Sequence, residues 1–233
     1  MCLILVAWRR HAEFPLVVAA NRDEFHARPA AAAAFWQDHP GILGGRDLQA
    51  QGTWLGVSRD GRFASVTNYR GGLDPNAMES RGALVTRFLL GEISAEKYIS
   101  SLSPNGYSGF NLLVADEKEL WWLSNRGGEA RRLEPGCHAL GNLLLDTPEV
   151  MEVKTRFAVA PAAVEPLFTL LATAKIVAPA YGTRCATVLL RGRNGQMQFA
   201  ERPFDAEGNA GATLRYEFPV LKELSVRGAS AGA

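Results

Sequence analysis

The second residue of the chain is a cysteine whose position allows unusual chemistry. Methionine aminopeptidases remove Met1 when the next side chain is small, as that of Cys2 is. Removal would leave a thiol and a free α-amine on one residue, with ordinary pKa values of about 8.5 and about 7.7 to 8.0. Cys2 could then supply a nucleophile and its general base near neutral pH. The alternative is that Cys2 begins a buried strand and packs there as a small apolar side chain.

A polar tetrad, Asn21-Arg22-Asp23-Glu24, follows an apolar segment at 15–20. If 2–8 and 15–20 form a hairpin, we expect the tetrad at the end of its strand and next to Cys2. Asp23 could orient and charge the α-amine there, and Arg22 could hold the thiolate or an anionic substrate group. The alternative is a solvated turn with a local ion pair.

Two further strand ends carry an asparagine, in Thr67-Asn68-Tyr69 and in Gly141-Asn142. Acyl transfer develops an oxyanion, and each amide or backbone N–H donor can stabilise it by about 2.7 to 4 kcal/mol. An asparagine at a strand end is otherwise a common turn former. The two positions are therefore candidates for an oxyanion hole.

Composition excludes several classes of protein. Of 233 residues, 47% are hydrophobic and 21% charged, which is typical of a globular protein. The formal net charge is +1, from 25 basic and 24 acidic residues, so bulk charge does not favour binding to nucleic acid or an anionic membrane. We predict a single domain over 1–233, with about ten disordered residues at the C-terminus.

The N-terminal run MCLILVAW lacks the basic residues and cleavage site of a signal peptide, so we predict a strand. No other apolar stretch approaches the roughly 18 to 20 residues of a membrane span. Cys2, Cys137 and Cys185 lack C-x-x-C spacing, which argues against disulfides and structural zinc. We therefore expect a cytoplasmic protein without a metal or other cofactor.

The histidines lack metal-binding spacing. Cys137-His138 is a pair of soft ligands that could meet a haem iron, although no C-x-x-C-H motif is present. Haem is therefore kept as a possible ligand rather than a cofactor.

Alternating and apolar runs predict ten strands, at 2–8, 15–20, 52–58, 62–69, 110–116, 119–125, 138–142, 185–191, 196–202 and 213–218. Helices are predicted twice within 80–101, with Gly91 between them, then from 147–149 onward and at 163–174. Asp60-Gly61 predicts a type I′ hairpin turn, and the Ala-rich segment 28–34 a loop or short helix. This order lacks strict β-α alternation and favours a layered α+β fold with antiparallel sheets.

Several motifs together resemble the NRDE family, also called the Transport and Golgi organization protein 2 family. They are MCLILVAW, Asn21-Arg22-Asp23-Glu24, GGRDLQAQGTWLGVS (44–58), VTNYR (66–70), SRG (80–82), FNLLV (110–114), GNLLLDTP (141–148) and YGTRCATVLL (181–190). The resemblance spans nearly the whole chain. It implies a four-layer α-β-β-α sandwich of the N-terminal nucleophile (Ntn) hydrolase type, similar to choloylglycine hydrolases and penicillin V acylases.

The resemblance also implies roles for single residues. By position, Cys2 is similar to the nucleophile of the choloylglycine hydrolases, Asp23 to their aspartate, and Asn68 and Asn142 to their two oxyanion asparagines. The hydrolases carry an arginine three residues before the aspartate, where this chain has Ala20, and we expect Arg22 to point to a different face. Substrate-binding candidates are Arg22, Tyr69 and a later arginine, either Arg156 or Arg184.

The leading hypothesis is an Ntn-type amidohydrolase or acyltransferase acting on a small non-peptide amide or acyl thioester. It predicts loss of Met1, rapid alkylation of Cys2 at pH 7 and trapping by acyl electrophiles. The alternative is a non-catalytic binding and trafficking protein that holds haem or a lipid or acyl-CoA ligand in the same cleft, as implied by relatives linked to haem handling and lipid metabolism. A homo-oligomer is possible under either.

Overall fold

Two antiparallel β-sheets form the middle of the protein. The structure is a computed structural model that describes residues 2–221; the predicted disorder near the C-terminus lies outside these residues. The first sheet has the order β10-β1-β2-β11-β12-β13, with β1 Leu3–Trp8, β2 Leu16–Phe25, β10 Gly136–Leu140, β11 Tyr181–Arg191, β12 Gln196–Pro203 and β13 Leu214–Pro219. The second has the sequential order β3 to β9, with β3 Ala30–Phe35, β4 Ile42–Asp47, β5 Leu55–Ser58, β6 Phe63–Asn68, β7 Phe110–Ala115, β8 Leu120–Ser124 and β9 Arg131–Arg132.

Two pairs of helices cover the outer faces of the sheets. Helices α1 (Arg81–Leu90) and α2 (Ala95–Ser101) pack on the second sheet, and a 3₁₀ turn at Pro104–Gly106 follows them. Helices α3 (Pro148–Val159) and α4 (Val164–Ala172) pack on the first sheet. The layers therefore follow in the order α-β-β-α, and the predicted α+β sandwich of antiparallel sheets is confirmed. That one domain spans 1–233 stays a prediction.

The strand β1 shows how the sequence produces these layers. Ile4, Val6 and Trp8 face the second sheet, while Leu3 and Leu5 face helices α3 and α4. Because successive side chains of a strand point to opposite faces, a strand buried on both sides must be apolar throughout. All six residues of β1 are indeed buried. This strand therefore holds the residue before it, Cys2, at the edge of the core.

Strand β2 is longer than the sequence predicts. It continues through the polar tetrad to Phe25, so Asn21 to Glu24 lie within the strand and not after its end. The prediction failed because a cluster of polar residues is typical of a turn. Here Asn21, Arg22 and Asp23 are buried, with 3%, 7% and 3% of their surface exposed.

Other local predictions also need correction. The segment predicted as a loop or short helix contains strand β3, and β4 and β9 were not predicted. Alanine has little strand preference, so the pairing of β3 with β4 decides its conformation. The β5–β6 turn has positive φ at Gly61 but not at Asp60, and the Gly61 N–H donates to the Ser58 carbonyl. It is a type I turn with a following glycine bulge and not type I′.

None of the helices within 2–221 has the length and apolarity needed to cross a bilayer.

Candidate active site

The pairing of β1 with β2 brings Cys2 next to Asp23. Leu3 pairs with Asn21 in an antiparallel register. The Cys2 Sγ atom accepts the Asp23 N–H at 3.4 Å and donates to the Asp23 carbonyl oxygen at 3.3 Å. The hairpin expected from the sequence is therefore present, and it fixes the thiol against the main chain of Asp23.

A cleft of about 550 Å³ opens beside this thiol, between the ends of the two sheets. Six of the eight residues singled out from the sequence line it: Cys2, Arg22, Asp23, Asn68, Tyr69 and Asn142. They lie just before β1, on β2, at or just after the end of β6 and in the loop after β10. The fold therefore gathers these side chains around one concave surface.

Asp23 is held by strand β11. The Thr183 hydroxyl donates to Asp23 Oδ1 at 2.6 Å and accepts the Ile176 N–H at 2.8 Å. Thr183 is 1% exposed, so this bond is shielded from water. A hydroxyl with both hydrogen-bonding roles occupied fixes the carboxylate in one orientation beside Cys2.

The surroundings of Cys2 keep its proton on the sulfur. Burial and the nearby Asp23 carboxylate raise the pKa of the Cys2 thiol to about 11, against the lowering effect of the Asp23 N–H. A preformed thiolate is therefore absent at neutral pH. This pKa belongs to the chain that carries Met1, so the rapid alkylation at pH 7 expected after removal of Met1 stays a prediction. A local base must take the proton if Cys2 is to attack a carbonyl.

The two asparagines meet where the sheets approach each other. The Asn142 side-chain amide donates to the Asn68 carbonyl oxygen at 2.7 Å, and the Arg70 N–H donates to the Asn142 carbonyl at 2.7 Å. The Thr67 hydroxyl donates to the Gly141 carbonyl at 2.8 Å. These bonds tie the end of β6 to the loop after β10. Within residues 2–221, the Asn68 side chain has no hydrogen-bond partner and is exposed to the cleft.

Arg22 points into the space between the sheets. Ala20 and Arg22 are two residues apart on β2 and share one face, so the expected change of face was wrong. The Arg22 guanidinium lies 4.1 Å from the centre of the Trp54 ring and 4.0 Å from Glu24 Oε2. Its Nη1 atom is buried and has no hydrogen-bond partner among the described residues. Arg22 thus lies in the site, about two residues along the strand from the position of the hydrolase arginine.

The two later arginines make hydrogen bonds in other parts of the structure. Arg184 Nη1 donates to the carbonyls of Phe25 and His26, both at 3.0 Å, and so holds the turn after β2. Arg156 lies on α3, and its Nη1 donates to the Thr173 hydroxyl at 3.2 Å. Neither lines the cleft, which corrects both substrate-binding assignments.

Arg81 is the cleft arginine that sequence reasoning missed. It is the first residue of α1, after the N-cap Ser80, whose hydroxyl accepts the Gly82 N–H. Its Nη1 donates to the Gly109 carbonyl at 3.2 Å, and within 2–221 no carboxylate lies in ion-pair distance. Burial lowers the pKa of Arg81, since desolvation disfavours its charge. The SRG motif (80–82), quoted above for the family resemblance, contains Arg81. Its position in the chain did not show that α1 begins at the cleft.

Tyr181 is a second cleft residue that the sequence did not single out. It begins β11 and its ring packs edge-on against Phe25, with ring centres 5.3 Å apart. Burial raises the pKa of its hydroxyl, with smaller contributions from Cys2 and Asp23. Tyr181 therefore stays a neutral hydrogen-bond donor on the wall of the cleft.

The Cys137-His138 pair does not form a ligand site. The two residues are adjacent on β10, so their side chains point to opposite faces. Cys137 packs towards the helices, whereas His138 contacts Asp146 Oδ2 at 3.3 Å and the Glu134 carbonyl at 2.9 Å. Among residues 2–221, no group of three or more His, Cys, Asp or Glu residues could hold a metal ion.

Comparison with known proteins identifies the family. The family model described as Transport and Golgi organisation 2 matches residues 1–164. The chain belongs to this family. It is 36% identical to the Transport and Golgi organization protein 2 homolog of Bos taurus, over 81% of this chain and 86% of that protein. The human homolog is 32% identical, over 88% of this chain and 92% of that protein.

Solved structures of two hydrolases share the fold of this chain. A Caenorhabditis elegans ortholog of N-acylethanolamine-hydrolyzing acid amidase superposes with a TM-score of 0.54 and 10% identity, covering 81% of this chain and 92% of that chain. A variant of conjugated bile acid hydrolase from Clostridium perfringens, in which an arginine is replaced by leucine, superposes with a TM-score of 0.54 and 9% identity. The match covers 97% of this chain and 100% of that chain. At such low identity the likeness concerns the fold.

Proposed function

We propose that this protein is a cysteine amidohydrolase or acyltransferase that gains its general base when Met1 is removed. One observation carries the proposal: the Cys2 thiol lies on the main chain of Asp23, in a cleft that also contains Asn68 and Asn142. A nucleophile, a carboxylate and two amides are the groups that acyl transfer from an N-terminal cysteine requires. Packing of a buried strand alone would not require these four groups to lie together.

The proposed reaction proceeds in two steps. The α-amine of Cys2 takes the thiol proton, and Sγ forms a bond to the carbonyl carbon of the substrate. Asn68 and Asn142 amides donate to the oxyanion of the tetrahedral intermediate. The α-ammonium then protonates the leaving amine or thiol as its bond to carbon breaks, which leaves a thioester on Cys2. Water, activated by the α-amine, releases the acid and restores the thiol; an acceptor amine or alcohol in its place gives acyl transfer.

Arg81 and the names of the structural neighbours support the substrate class. Both neighbours are named as hydrolases of acyl amides, an N-acylethanolamine in one case and a conjugated bile acid in the other. In this chain the cleft presents the Arg81 guanidinium without a carboxylate partner within 2–221. We infer a small acyl amide or acyl thioester with an anionic group as the substrate. No cofactor takes part in this mechanism.

The mouth of the cleft favours the alternative function as well. Phe25 and Leu73 line it and are 59% and 78% exposed. Apolar side chains this exposed at a cleft suit an apolar ligand such as haem or a lipid or acyl-CoA chain. Under this alternative the protein carries such a ligand, and Cys2 does not react.

The two functions are separated by exchanging single cysteines. The full chain is incubated with N-acyl amides and acyl thioesters, and the released acid is measured for wild type, Cys2→Ala and Cys137→Ala. The control thiol, Cys137, is half-buried and lies on β10, outside the cleft. Hydrolysis lost in Cys2→Ala and kept in Cys137→Ala supports the enzyme. Stoichiometric haem or acyl-CoA binding by all three proteins, without turnover, supports the carrier.

We also propose a cytoplasmic location, because all three cysteines are free and a reducing compartment keeps them so.

A further inference from the structure

A second and larger cleft lies at the other end of the sandwich. Its volume is about 830 Å³. It is formed where β1 ends, at Arg9, and where β11 ends, at Arg191, together with the β5–β6 and β7–β8 turns. Cys2 precedes the opposite end of β1, and six strand residues span roughly 20 Å. The cleft is therefore separate from the site proposed for acyl transfer. We call it the arginine cleft.

Two buried arginines line this cleft. Arg191 is 7% exposed, and its Nη1 donates to the carbonyls of Gly61 and Asp116, both at 2.9 Å. Arg62 is 5% exposed, and its Nε and Nη1 donate to the carbonyls of Phe88 and Ile93 at 3.0 and 2.8 Å. Both guanidinium groups are thus bound by neutral carbonyls. Burying a charge without an ionic partner is costly unless a ligand supplies one.

The Nη2 atom of Arg62 is the most direct sign of a missing acceptor. It is buried and has no hydrogen-bond partner among residues 2–221. A guanidinium can donate and cannot accept, so a partner for Nη2 must carry an acceptor oxygen. Unpaired buried donors are uncommon in folded proteins. This donor belongs to a residue that lines the arginine cleft.

Two further arginines, at the rim of the cleft, also donate to backbone carbonyls. Arg9 Nη2 donates to the Lys118 carbonyl at 2.7 Å, and Arg193 Nε donates to the Ala12 carbonyl at 2.6 Å. Carbonyl oxygens thus accept the described bonds from all four guanidinium groups. Lys118 adds a further positive charge to the lining.

Four acidic residues also line the cleft, namely Asp60, Glu92, Asp116 and Glu117. Asp116 accepts the N–H groups of Ala95, Lys118 and Glu119, at 2.9, 2.7 and 2.9 Å. Asp60 accepts the Ser58 hydroxyl. Both carboxylates favour the charge of Arg62 from a distance, yet burial still lowers the pKa of that guanidinium. Asp60 and Asp116 are therefore engaged by donors other than the arginines, and the five cationic side chains of the lining outnumber its four carboxylates.

From this geometry we propose that the arginine cleft binds a small molecule bearing an oxyanion group, a phosphate or a carboxylate. Planar guanidinium groups match the oxygens of both. The volume lies in the range of small-molecule sites, about 300 to 1,000 Å³. The bound oxyanion accepts from Arg62 and neighbouring arginines, about 20 Å from Cys2.

Two probes, inorganic pyrophosphate and citrate, distinguish phosphate from carboxylate chemistry in titrations of the full chain at low salt. Backbone amide resonances of glycines report the location. We expect saturable shifts at Gly61, Gly192 and Gly195, which line the arginine cleft, and not at Gly71 and Gly72, which line the Cys2 cleft. Shifts confined to Gly71 and Gly72, or no saturable shift with either probe, would overturn the proposal.

Single substitutions test the assignment of Arg62. Arg62→Gln should weaken binding of the better probe by about tenfold or more, since a charge-assisted hydrogen bond is lost. Arg70→Gln, in the Cys2 cleft, is the matched control and should leave the affinity unchanged. If Arg62→Gln does not fold, Arg9→Gln at the exposed rim should still weaken binding by about threefold. Unchanged affinity in both, or a loss confined to Arg70→Gln, contradicts the proposal.

Discussion

Asp23 decides what the thiol of Cys2 can do. The Asp23 N–H donates a hydrogen bond to the sulfur, and the Asp23 carbonyl oxygen accepts one from it. The Asp23 carboxylate disfavours the thiolate. Because the resting thiol is neutral, its attack on a carbonyl depends on a base and not on a preformed anion. The α-amine that follows removal of Met1 would be that base, on the same residue.

The raised pKa of Cys2 is testable by alkylation. In the chain that retains Met1, iodoacetamide should react slowly at pH 7, because the thiolate is the reacting form. The rate should rise about tenfold for each pH unit towards the pKa of about 11. Peptide mapping in a Cys137→Ala background measures it at Cys2. A fast rate that does not change between pH 6 and pH 8 would contradict the account.

The two asparagines should differ when each is replaced by alanine. Asn68→Ala should lower kcat by about 100-fold, with KM and Tm nearly unchanged, since its side chain donates to no described residue. Asn142→Ala should lower kcat similarly and also destabilise the protein by about 1 kcal/mol, because it breaks the bond to the Asn68 carbonyl. Steady-state kinetics and urea unfolding separate the effects. Equal losses of unfolding free energy for both variants would refute the difference.

Much of the site could be predicted from single residues, but not its arginines. Cys2 precedes β1, Asp23 lies near the end of β2, Asn68 ends β6 and Asn142 follows β10. Strand pairing carries them to one edge. Arg81 reaches the cleft through the packing of α1 against the second sheet, which spacing in the chain does not reveal. Arg184 lies near Asp23 on the paired strand β11, yet its guanidinium holds the turn after β2 and does not reach the cleft. Spacing in the chain does not reveal this either.

At the scale of elements, the loop between β10 and α3 places Asn142. Asp146 anchors it, with a positive φ of 57°. Its carboxylate accepts the Ala139 N–H at 2.8 Å and contacts Lys154 Nζ at 2.9 Å and His138 Nδ1 at 3.3 Å. Burial acts to raise the pKa of Asp146, but these bonds outweigh it and lower the pKa to about 2.

This anchor predicts a pH-dependent contribution to stability. A carboxyl with a depressed folded-state pKa stabilises the protein fully above its unfolded pKa, near 4, and less as the pH falls towards 2. Asp146→Asn should therefore cost about 1 to 2 kcal/mol at pH 7, allowing for partial exposure, and progressively less between pH 4 and pH 2. Urea unfolding measures the difference, with Glu152→Gln, an exposed position on α3, as control. A cost that stays constant down to pH 2 would contradict it.

The elements that the sequence missed have a common physical cause. The polar end of β2 and the alanines of β3 lack the alternation that marks a strand. Both are fixed by pairing with another strand, the end of β2 with the distant β11 and β3 with the next strand, β4. Strands with strong apolar patterns, such as β1, β7 and β11, were predicted because burial on both faces requires that pattern.

At the scale of the whole molecule, Glu201 joins the two sheets. It lies on β12, is 2% exposed and accepts the Ala33 N–H of β3 at 2.7 Å. Burial raises the pKa of its carboxyl, while Arg22 and Cys185 act in the opposite direction. The link between the sheets at this edge therefore contains a carboxyl group whose ionisation is unfavourable in the folded protein.

Replacing this carboxyl by an amide tests its contribution. A folded-state pKa above the unfolded value gives stability that is present at low pH and lost as the pH rises. Wild type should thus lose stability relative to Glu201→Gln between pH 4 and pH 8, because glutamine keeps the acceptor without the charge. Glu201→Ala should cost about 1 to 3 kcal/mol at every pH, since the Ala33 N–H is left unpaired. A pH-independent gap between wild type and Glu201→Gln would refute the account.

The nucleophile hypothesis for the whole molecule depends on the state of its N-terminus. Intact mass spectrometry of the purified full chain, before and after exposure to an acyl electrophile, tests this most directly. We predict a mass lower by one methionine and a single acyl adduct, mapped to Cys2 and absent from Cys2→Ala. A chain that retains Met1 and gains no adduct at Cys2 would contradict the claim that this cysteine is the nucleophile.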